Sequence, residues 1–487
     1  MVNRRMVSLG LGAALAAPLV MRSSSLRAQT PRIRRDVMDM PDNDPFFAKY
    51  ADAVAAMHAE PASSGRSWMS QALIHPDHCR HGEVQFLHWH RHYLDRFERI
   101  CAELIGDPDF ALPYWNWNKR SGVLPNPFFT LPELTVEHWN DSGVYNGAAW
   151  GPVNTIARRG VGIGEGIGND SVRGGPFSTD TLNTIRGYQD STLFFRALEG
   201  TPHGSGHVRV GALAARPHGH MQSGLSSLDP IFWLHHCMVD CMWAEWQSFG
   251  NITPDPNESF DDEFYDVSGA PVGGDTTTAL DVANFGYTYD ILDTGITRPT
   301  RQDGDAPWAL PPEVLRDAFE AERAIPVGGG DNSEISVPQV VTPITVTVND
   351  LASQLQSSRI FRQSSATNWS EFGIEGRRLV ARLSDIKAPE NDTELLVNVF
   401  INCPYLAPDT PYTDPFYAGT FSFFGRMAGM HHGLERVIDL TAPVRALYEE
   451  GRIRGDELTV QLMAVPAAVE GSTDARFAVP KIEIVST

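Results

Sequence analysis

The pattern of apolar and polar residues changes near residue 326. Before that point, apolar residues recur at helical spacing, as in residues 67–75 and from about 84 to 104, and long loops separate these segments. After it, short runs alternate apolar and polar residues and are rich in β-branched side chains, for example ITVTVND, RLVARLS, ELLVNVFIN and KIEIV. The pattern predicts a mainly α domain followed by an all-β sandwich of about seven strands.

Composition places the boundaries between these parts. A chain of 487 residues exceeds one compact core, so two domains are expected. The stretch containing IPVGGGDNS is rich in Pro, Gly and polar residues, as linkers are. We therefore predict an α domain over residues 29–325, a linker over 326–340 and a β-sandwich domain over 341–487. The Gly- and Asn-rich loop from about 135 to 181 is either a segment that controls access to a site or a long insertion.

The first 28 residues are typical of an export signal. Arg4 and Arg5 precede an apolar run over residues 6–21, and small residues lead to Ala28. Because the run is short and rich in Gly and Ala, it is not expected to remain as a membrane span. The paired arginines favour twin-arginine export, which carries folded proteins. We predict a mature protein without a membrane span, located in the periplasm or outside the cell.

Charge and cysteine content exclude several classes of protein. The formal net charge of −21 argues against nucleic acid as a partner, because a phosphate binder needs the opposite sign. The five cysteines form no C-x-x-C pair, which makes a zinc ribbon an unsuitable interpretation. Cys237 and Cys241 are expected to be small buried side chains. Cys79 differs from them because it lies two residues before His81.

Histidines are concentrated in one part of the chain: 13 of the 16 lie between His75 and His236. Imidazole suits copper and zinc as a ligand. His81 and His90 are nine residues apart and would face opposite ways on one helix. If both bind one metal, His81 must therefore lie in the loop before the helix. Spacing alone does not distinguish His90 from the pair His88 and His92.

A second group of histidines follows two helix-start signals. Thr201 and Pro202 predict a helix that places His203 and His207 on one face, although Gly204 and Gly206 weaken it by about 1 kcal/mol each. Asp229 and Pro230 predict a second start, after which His236 and Asp240 share a face, as a metal ligand and its carboxylate neighbour do. His235 points about 100° away and is expected to be structural.

Four segments resemble the type-3 copper proteins, that is tyrosinases, catechol oxidases and molluscan haemocyanins: FLHWHRHYLDRFE, ALPYWNW, E-x-x-P-H-x-x-x-H at 199–207, and DPIFWLHHCMVDCMW. The resemblance implies a four-helix-bundle core that holds two copper ions and uses O2. It also implies the metal ligands: His75, His81 and His90 for copper A, and His203, His207 and His236 for copper B. His88 stands where the family usually has proline, so it is not expected to bind copper.

The resemblance assigns further residues. It implies a thioether between Cys79 and His81, and a role for Glu199 in orienting a water that helps deprotonate a phenol. Asp240 is the second carboxylate of the site. Gly204 stands where efficient phenol hydroxylases often have asparagine, which leaves hydroxylation in doubt. The substrate pocket is expected to include Gly204, Val208 and Met221.

The activity implied by the resemblance is that of a polyphenol oxidase, which oxidises o-diphenols to o-quinones with O2. Ortho-hydroxylation of monophenols stays open. The expected partner is a small phenolic molecule, and the pattern leaves a copper chaperone open. A haemocyanin-like O2 carrier is the alternative, and a zinc hydrolase does not explain two three-histidine groups. The β domain is expected to shield the site with an aromatic from residues 412–424, unless these aromatics form the sandwich core. His431 and His432 are either a copper-handling pair or exposed residues.

Overall fold

The computed structural model describes residues 31–167, 175–213 and 217–292 without interruption, and shorter stretches between 325 and 486. The predicted signal peptide lies outside these residues. Among the described residues, no helix combines the length and apolar composition needed to cross a bilayer. The five cysteines are buried free thiols, as predicted for Cys237 and Cys241.

The first part of the chain is helical. Its helices are α1 (Pro45–Ala59), α2 (Trp68–His78), α3 (Phe86–Ile105), α4 (Pro127–Thr130), α5 (Thr179–Arg186), α6 (Ser191–Leu198), α7 (Gly204–Gly211), α8 (Ile231–Ser248) and α9 (Thr276–Ala279). Helices α2, α3, α6–α7 and α8 surround one apolar core, in which the rings of Phe97 and Trp233 stack at 3.4 Å. The predicted helical core is present in this form.

Helix α2 continues past Pro76, beyond residues 67–75, over which the sequence shows helical spacing. Pro76 has no N–H to donate to the carbonyl of Ala72, four residues earlier. In the structure, the hydroxyl of Ser227 donates to that carbonyl at 2.9 Å. A residue distant in sequence thus satisfies the carbonyl, and the helix runs to His78.

The predicted helix start at Thr201 is wrong. Helix α6 runs directly into α7 through a π-helical turn over Glu199–His203, with Pro202 inside it. A π turn inserts one extra residue and so accommodates a proline without ending the helix. His203 and His207 nevertheless lie on one face, as predicted, with ring centroids 4.7 Å apart.

Short strands connect the helices. They are β1 (Arg32–Arg34), β2 (Gly143–Gly147), β3 (Gly151–Ile156), β4 (His218–Gly219), β5 (Ser259–Tyr265), β6 (Pro271–Asp275) and β7 (Tyr287–Tyr289). β1 pairs with β7 in parallel, and β5 pairs with β6 in an antiparallel hairpin. β2 and β3 form a second hairpin, which lies within the Gly- and Asn-rich loop.

The second part consists mainly of strands. They are β8 (Ile325–Asp331), β9 (Glu334–Ser336), β10 (Ile344–Thr347), β11 (Ser358–Ile360), β12 (Ile374–Gly376), β13 (Leu379–Ile386), β14 (Leu395–Ile401), β15 (Tyr417–Ser422), β16 (Leu434–Asp439), β17 (Glu457–Pro466), β18 (Arg476–Ala478) and β19 (Lys481–Ser486). Two antiparallel four-stranded sheets have the orders β10-β17-β14-β15 and β16-β13-β19-β8. Both contribute to one hydrophobic cluster, which is consistent with the predicted sandwich.

Two details differ from the prediction for this part. Helix α10 (Thr441–Glu449) adds a helix to a region expected to be all-β. The predicted linker at 326–340 contains strands, since Ile325–Asp331 pairs with β19 and Glu334–Ser336 with β18. Ladder hydrogen bonds use only the backbone, so the glycines of IPVGGGD can join the edge of a sheet although their composition resembles a linker.

The β part packs closely on α6 and α7. A Cβ on Gly204 would lie 2.1 Å from Ser422 Oγ of β15, and one on Gly200 would lie 2.5 Å from Arg436 Cδ of β16. A larger residue at either position would force Ser422 or Arg436 to shift. These glycines, which weaken a helix, are therefore explained by the contact between the two parts of the chain.

Candidate metal centre

The six predicted metal-binding histidines meet at the centre of the helical core, and each is at most 2% exposed. His75, His81 and His90 form one trio, with ring centroids 5.2–5.7 Å apart. His203, His207 and His236 form the other, with centroids 4.7–5.3 Å apart. The trios adjoin each other, because the rings of His90 and His236 stack at 4.3 Å.

Backbone carbonyls fix the orientation of four of these rings. The Nδ1 atoms lie 2.7–3.0 Å from carbonyl oxygens in the pairs His75–Gly224, His90–Phe86, His203–Glu199 and His207–Met221. A proton on Nδ1 leaves the lone pair on Nε2 free for a metal. Among the described residues, no polar group pairs with the buried Nε2 atoms of His75, His81, His90 and His203. Such unpaired buried nitrogens fit bound metal ions.

Packing distinguishes His90 from its two neighbours. His88 lies on another face of α3, with its ring 5.0 Å from that of Trp243. The Nε2 atom of His92 contacts the backbone of Asp275. Of the alternatives that spacing left open, His90 is the one whose ring lies beside those of His75 and His81.

His235 lies closer to the second trio than its helical position suggested, with its ring centroid 4.5 Å from that of His207. Its ligand atom groups by distance with those of the trio. However, Trp117 Nε1 donates to His235 Nδ1 at 3.1 Å, and burial lowers the pKa of His235 to about 3. A neutral imidazole that accepts at Nδ1 carries its proton on Nε2, so His235 has no lone pair left for a metal.

His81 lies in the loop between α2 and α3, as its spacing required, and Gly82 turns that loop with a φ of 75°. Neither of its ring nitrogens has a hydrogen-bond partner among the described residues. Cys79 lies beside it, and the ligand atoms of His75, Cys79 and His81 all lie within 4.8 Å of one another. Burial raises the pKa of the Cys79 thiol to about 12, so it is neutral.

An aromatic ring from the β part covers the second trio. Phe424 stacks on His207, with centroids 3.8 Å apart and an interplanar angle of 7°. Its centroid is 5.3 Å from that of His81 and 5.6 Å from that of His203. Phe421 and Phe423 instead lie in the sandwich core. Tyr412, His431 and His432 lie outside the described residues.

Comparison with known proteins agrees with this geometry. Residues 49–249 match the family model described as the common central domain of tyrosinase. The stretch that carries both histidine trios is thus similar to the central domain of tyrosinases. It is 30% identical over 283 residues to (+)-larreatricin hydroxylase of Larrea tridentata, covering 51% of this chain and 47% of the relative. It is 27% identical over 294 residues to a polyphenol oxidase of Malus domestica, covering 53% and 47%. The chain thus spans about half the length of these curated relatives.

Solved structures show that the likeness of fold extends beyond the helical part. A latent aurone synthase (polyphenol oxidase) superposes with a TM-score of 0.60 at 21% identity, covering 94% of this chain and 89% of the other. The latent apple tyrosinase superposes with a TM-score of 0.57 at 21% identity, covering 93% and 97%. A superposition that covers 94% or 93% of this chain includes residues of its β part as well as of its helical part.

Asp240, which the sequence predicted to be the carboxylate neighbour of His236, pairs with residues of other elements. Its Oδ1 accepts from Arg91 Nε at 2.6 Å, and its Oδ2 accepts from the hydroxyls of Tyr287 and Tyr289 at 2.6 and 2.5 Å. Burial raises the pKa of Asp240, but Arg91 and Arg34 outweigh it and hold this pKa below its usual value. Asp240 shares a helix face with His236, yet it joins α8 to α3, β1 and β7.

Glu199 is buried at the π turn and contacts the loop that carries His81. Its Oε1 accepts from the backbone N–H of Gly82 at 2.6 Å. Burial raises the pKa of Glu199, while Arg436 and Arg196 oppose this effect. The carboxylate therefore holds the His81 loop against the π turn.

The three predicted pocket residues lie around the second trio but are covered. Gly204 faces Ser422, as described above, and Val208 packs in a small cluster with Phe424 and Leu396. Met221 is 1% exposed, and its carbonyl accepts from His207. An open pocket at these residues requires the β part to move or Phe424 to be removed.

Sequence reasoning did not identify Trp150 as part of the site, and it predicted Phe424 only as one of the aromatics in residues 412–424. Trp150, in the turn between β2 and β3, donates from Nε1 to Cys79 Sγ at 2.8 Å, and no local pattern indicated this. For Phe424 a signal exists. Phe423 and Phe424 directly follow strand β15, and continuing the alternation of that strand would put the two adjacent rings on opposite faces, so only one would enter the sandwich core.

Proposed function

We propose that this chain is a copper-dependent oxidoreductase of the polyphenol oxidase type, which oxidises o-diphenols to o-quinones with O2. The observation that carries the proposal is the pair of histidine trios, whose Nε2 atoms are buried and largely unpartnered. The names of the relatives, which include polyphenol oxidases, support the same class of substrate.

In this proposal His75, His81 and His90 hold one copper ion, and His203, His207 and His236 hold the other. Copper held by these residues would supply the redox chemistry that carries four electrons from two diphenol molecules to one O2, giving two quinones and two waters. Imidazole donors in two groups of three suit copper and leave positions open to small molecules.

The chain's own residues orient the substrate and receive its proton. The ring of Phe424 lies parallel to His207, so this face accommodates a planar aromatic ring, and we assign it to the phenol in the open enzyme. Glu199 is the proton acceptor of the site, directly or through a water, because burial raises the pKa of its carboxyl group and so favours protonation. We also propose the thioether between Cys79 and His81, which would fix one of the two ligand rings, His81 and His236, whose Nδ1 atoms no carbonyl holds.

The form with Phe424 seated on His207 is, in this proposal, a latent state. The ring occupies the face where a substrate ring would lie, and it is 1% exposed. Arg436 holds it there by donating to the carbonyl of Phe424 at 2.9 Å. Export before activation is consistent with this state and remains a proposal from the first 28 residues.

Oxygen uptake with two substrates in parallel tests the proposed reaction. The copper-loaded full chain carrying Phe424→Ala is given 4-methylcatechol or tyramine. We expect uptake with the catechol. Uptake with tyramine as well would show that Gly204 does not prevent ortho-hydroxylation. If protein that has bound copper takes up no O2 with either substrate, this result would contradict the proposed oxidation and favour an O2 carrier.

A further inference from the structure

The β2–β3 hairpin is docked on the end of α2, directly after His75. Tyr145 donates its hydroxyl to Asp77 Oδ2 at 2.7 Å, and the backbone N–H of Ala148 donates to Asp77 Oδ1 at 3.0 Å. The N–H of Ala149 donates to the carbonyl of Pro76 at 2.8 Å. These three contacts fix the tip of the hairpin against the histidine centre.

The tip of the hairpin carries Trp150, which contacts the first trio in two ways. Its Nε1 donates to Cys79 Sγ at 2.8 Å, beside His81. Its indole also packs on Gly224, since a Cβ there would lie 2.7 Å from Trp150 Cγ. The carbonyl of Gly224 in turn accepts from His75 Nδ1. One side chain thus touches both the thiol beside His81 and the residue that orients His75.

Trp150 also borders the ring of Phe424. Their centroids are 5.4 Å apart at an interplanar angle of 53°, a tilted arrangement that aromatic pairs favour. Phe424 therefore lies between two aromatic surfaces: His207, which is parallel to it, and Trp150, which is inclined to it. Trp150 belongs to the helical part of the chain, so its ring would still border the space that is left when Phe424 is removed.

We propose that Trp150 is a positioning residue of this site, which holds Cys79 beside His81 through its N–H and orients the substrate ring with its indole face. The inference deepens the proposed function and rests on it. The contrasting interpretation is that Trp150 only packs the hairpin against the helices. The two interpretations predict different effects of conservative substitutions at Trp150.

The test compares Trp150→Phe and Trp150→Leu in full chains that also carry Phe424→Ala. Phenylalanine keeps an aromatic wall and loses the N–H donor, whereas leucine loses both. Trp139→Leu is the matched control, because Trp139 lies in the same loop but stacks on His58 at 3.6 Å, away from the trios. Thermal unfolding of all variants shows whether the fold is intact.

The first readout is calorimetric binding of 4-methylcatechol to the metal-free proteins, which cannot turn it over. We expect Kd to rise about fivefold to tenfold with Trp150→Leu and to stay within about twofold with Trp150→Phe and Trp139→Leu. Equal affinity in all variants would overturn the role in ring orientation. Absence of binding in the Phe424→Ala parent would overturn it too.

The second readout is the extent of the Cys79–His81 link after loading with copper in air, measured by peptide mass. The bond forms between Sγ and a carbon of the His81 ring. The S–H and C–H hydrogens leave as two protons and two electrons, which reduce O2 to hydrogen peroxide. We expect about threefold less linked peptide in both Trp150 variants than in the parent and the Trp139→Leu control. An equal yield, or no link in any variant, would overturn the role of the N–H donor.

Kinetics separate this inference from the proposed function. If the parent consumes O2 with catechol, we expect Trp150→Leu to raise KM more than it lowers kcat. If the parent binds catechol and the Trp150 effects appear, but no variant consumes O2, then the proposed oxidation fails while the positioning role stands.

Discussion

Replacing Phe424 with alanine in the full chain raises the rate of O2 consumption with 4-methylcatechol about thirtyfold over the unmodified chain. Phe424 is 1% exposed and stacks on His207, so it blocks the face where the substrate ring would lie. Removing the ring eliminates about 2 kcal/mol of favourable burial and stacking from the closed form, which corresponds to roughly that factor. The measurement is initial O2 uptake by proteins with equal copper content.

Two further variants control this prediction. Phe424→Leu keeps an apolar side chain over the trio and should stay within about threefold of the unmodified chain. Phe423→Leu alters the sandwich core, where Phe423 packs, without opening the face of His207. Activation by Phe423→Leu equal to that by Phe424→Ala would show that general loosening of the β part is responsible. An unchanged rate with Phe424→Ala would contradict the blocking role.

The second large effect concerns stability. We expect Asp240→Asn to lower the free energy of unfolding of the metal-free protein by about 3–5 kcal/mol, the usual cost of removing one partner from a buried ion pair. Asp240 is 3% exposed, and both Arg91 and Arg34, which pair with it, are fully buried. Asparagine would remove the carboxylate that pairs with the buried Arg91, whereas Arg34 would keep its ion pair with Glu98 at 2.9 Å. Denaturant unfolding followed by tryptophan fluorescence measures the change.

An exposed ion pair supplies the control for Asp240. Lys49, whose side chain is 51% exposed, pairs with Asp107 at 2.6 Å, and Lys49→Gln should cost less than about 1 kcal/mol. Copper binding by folded Asp240→Asn should match that of the unmodified chain, because Asp240 does not contact His236. A specific loss of one copper ion with unchanged stability would instead support the role that the sequence predicted for Asp240.

Local spacing predicted the parts of the site that depend on one segment. The separation of His81 and His90 was enough to place His81 in a loop, and the four-residue separation of His203 and His207 was enough to place them on one face. The choice between His90 and His88 was different, because it depends on which face of α3 meets the other helices. Only packing, or a resemblance to known proteins, supplies that information.

The failed predictions share a physical cause, namely partners that are distant in sequence. Pro76 does not end α2 because Ser227 satisfies the freed carbonyl. Asp240 turns from the trio because Arg91 and two tyrosines bind it. The glycines of Ile325–Asp331 form a strand because β19 lies beside them. Composition and periodicity describe one segment at a time and do not contain these partners.

Copper content per chain tests the central claim most directly. After copper loading and removal of excess metal, elemental analysis should find two copper ions per chain in the unmodified protein and in His88→Asn. His90→Asn should retain one, because it removes a ligand from the first trio only. Two copper ions in His90→Asn, a loss in His88→Asn, or one or none in the unmodified protein would contradict the assignment of the two trios.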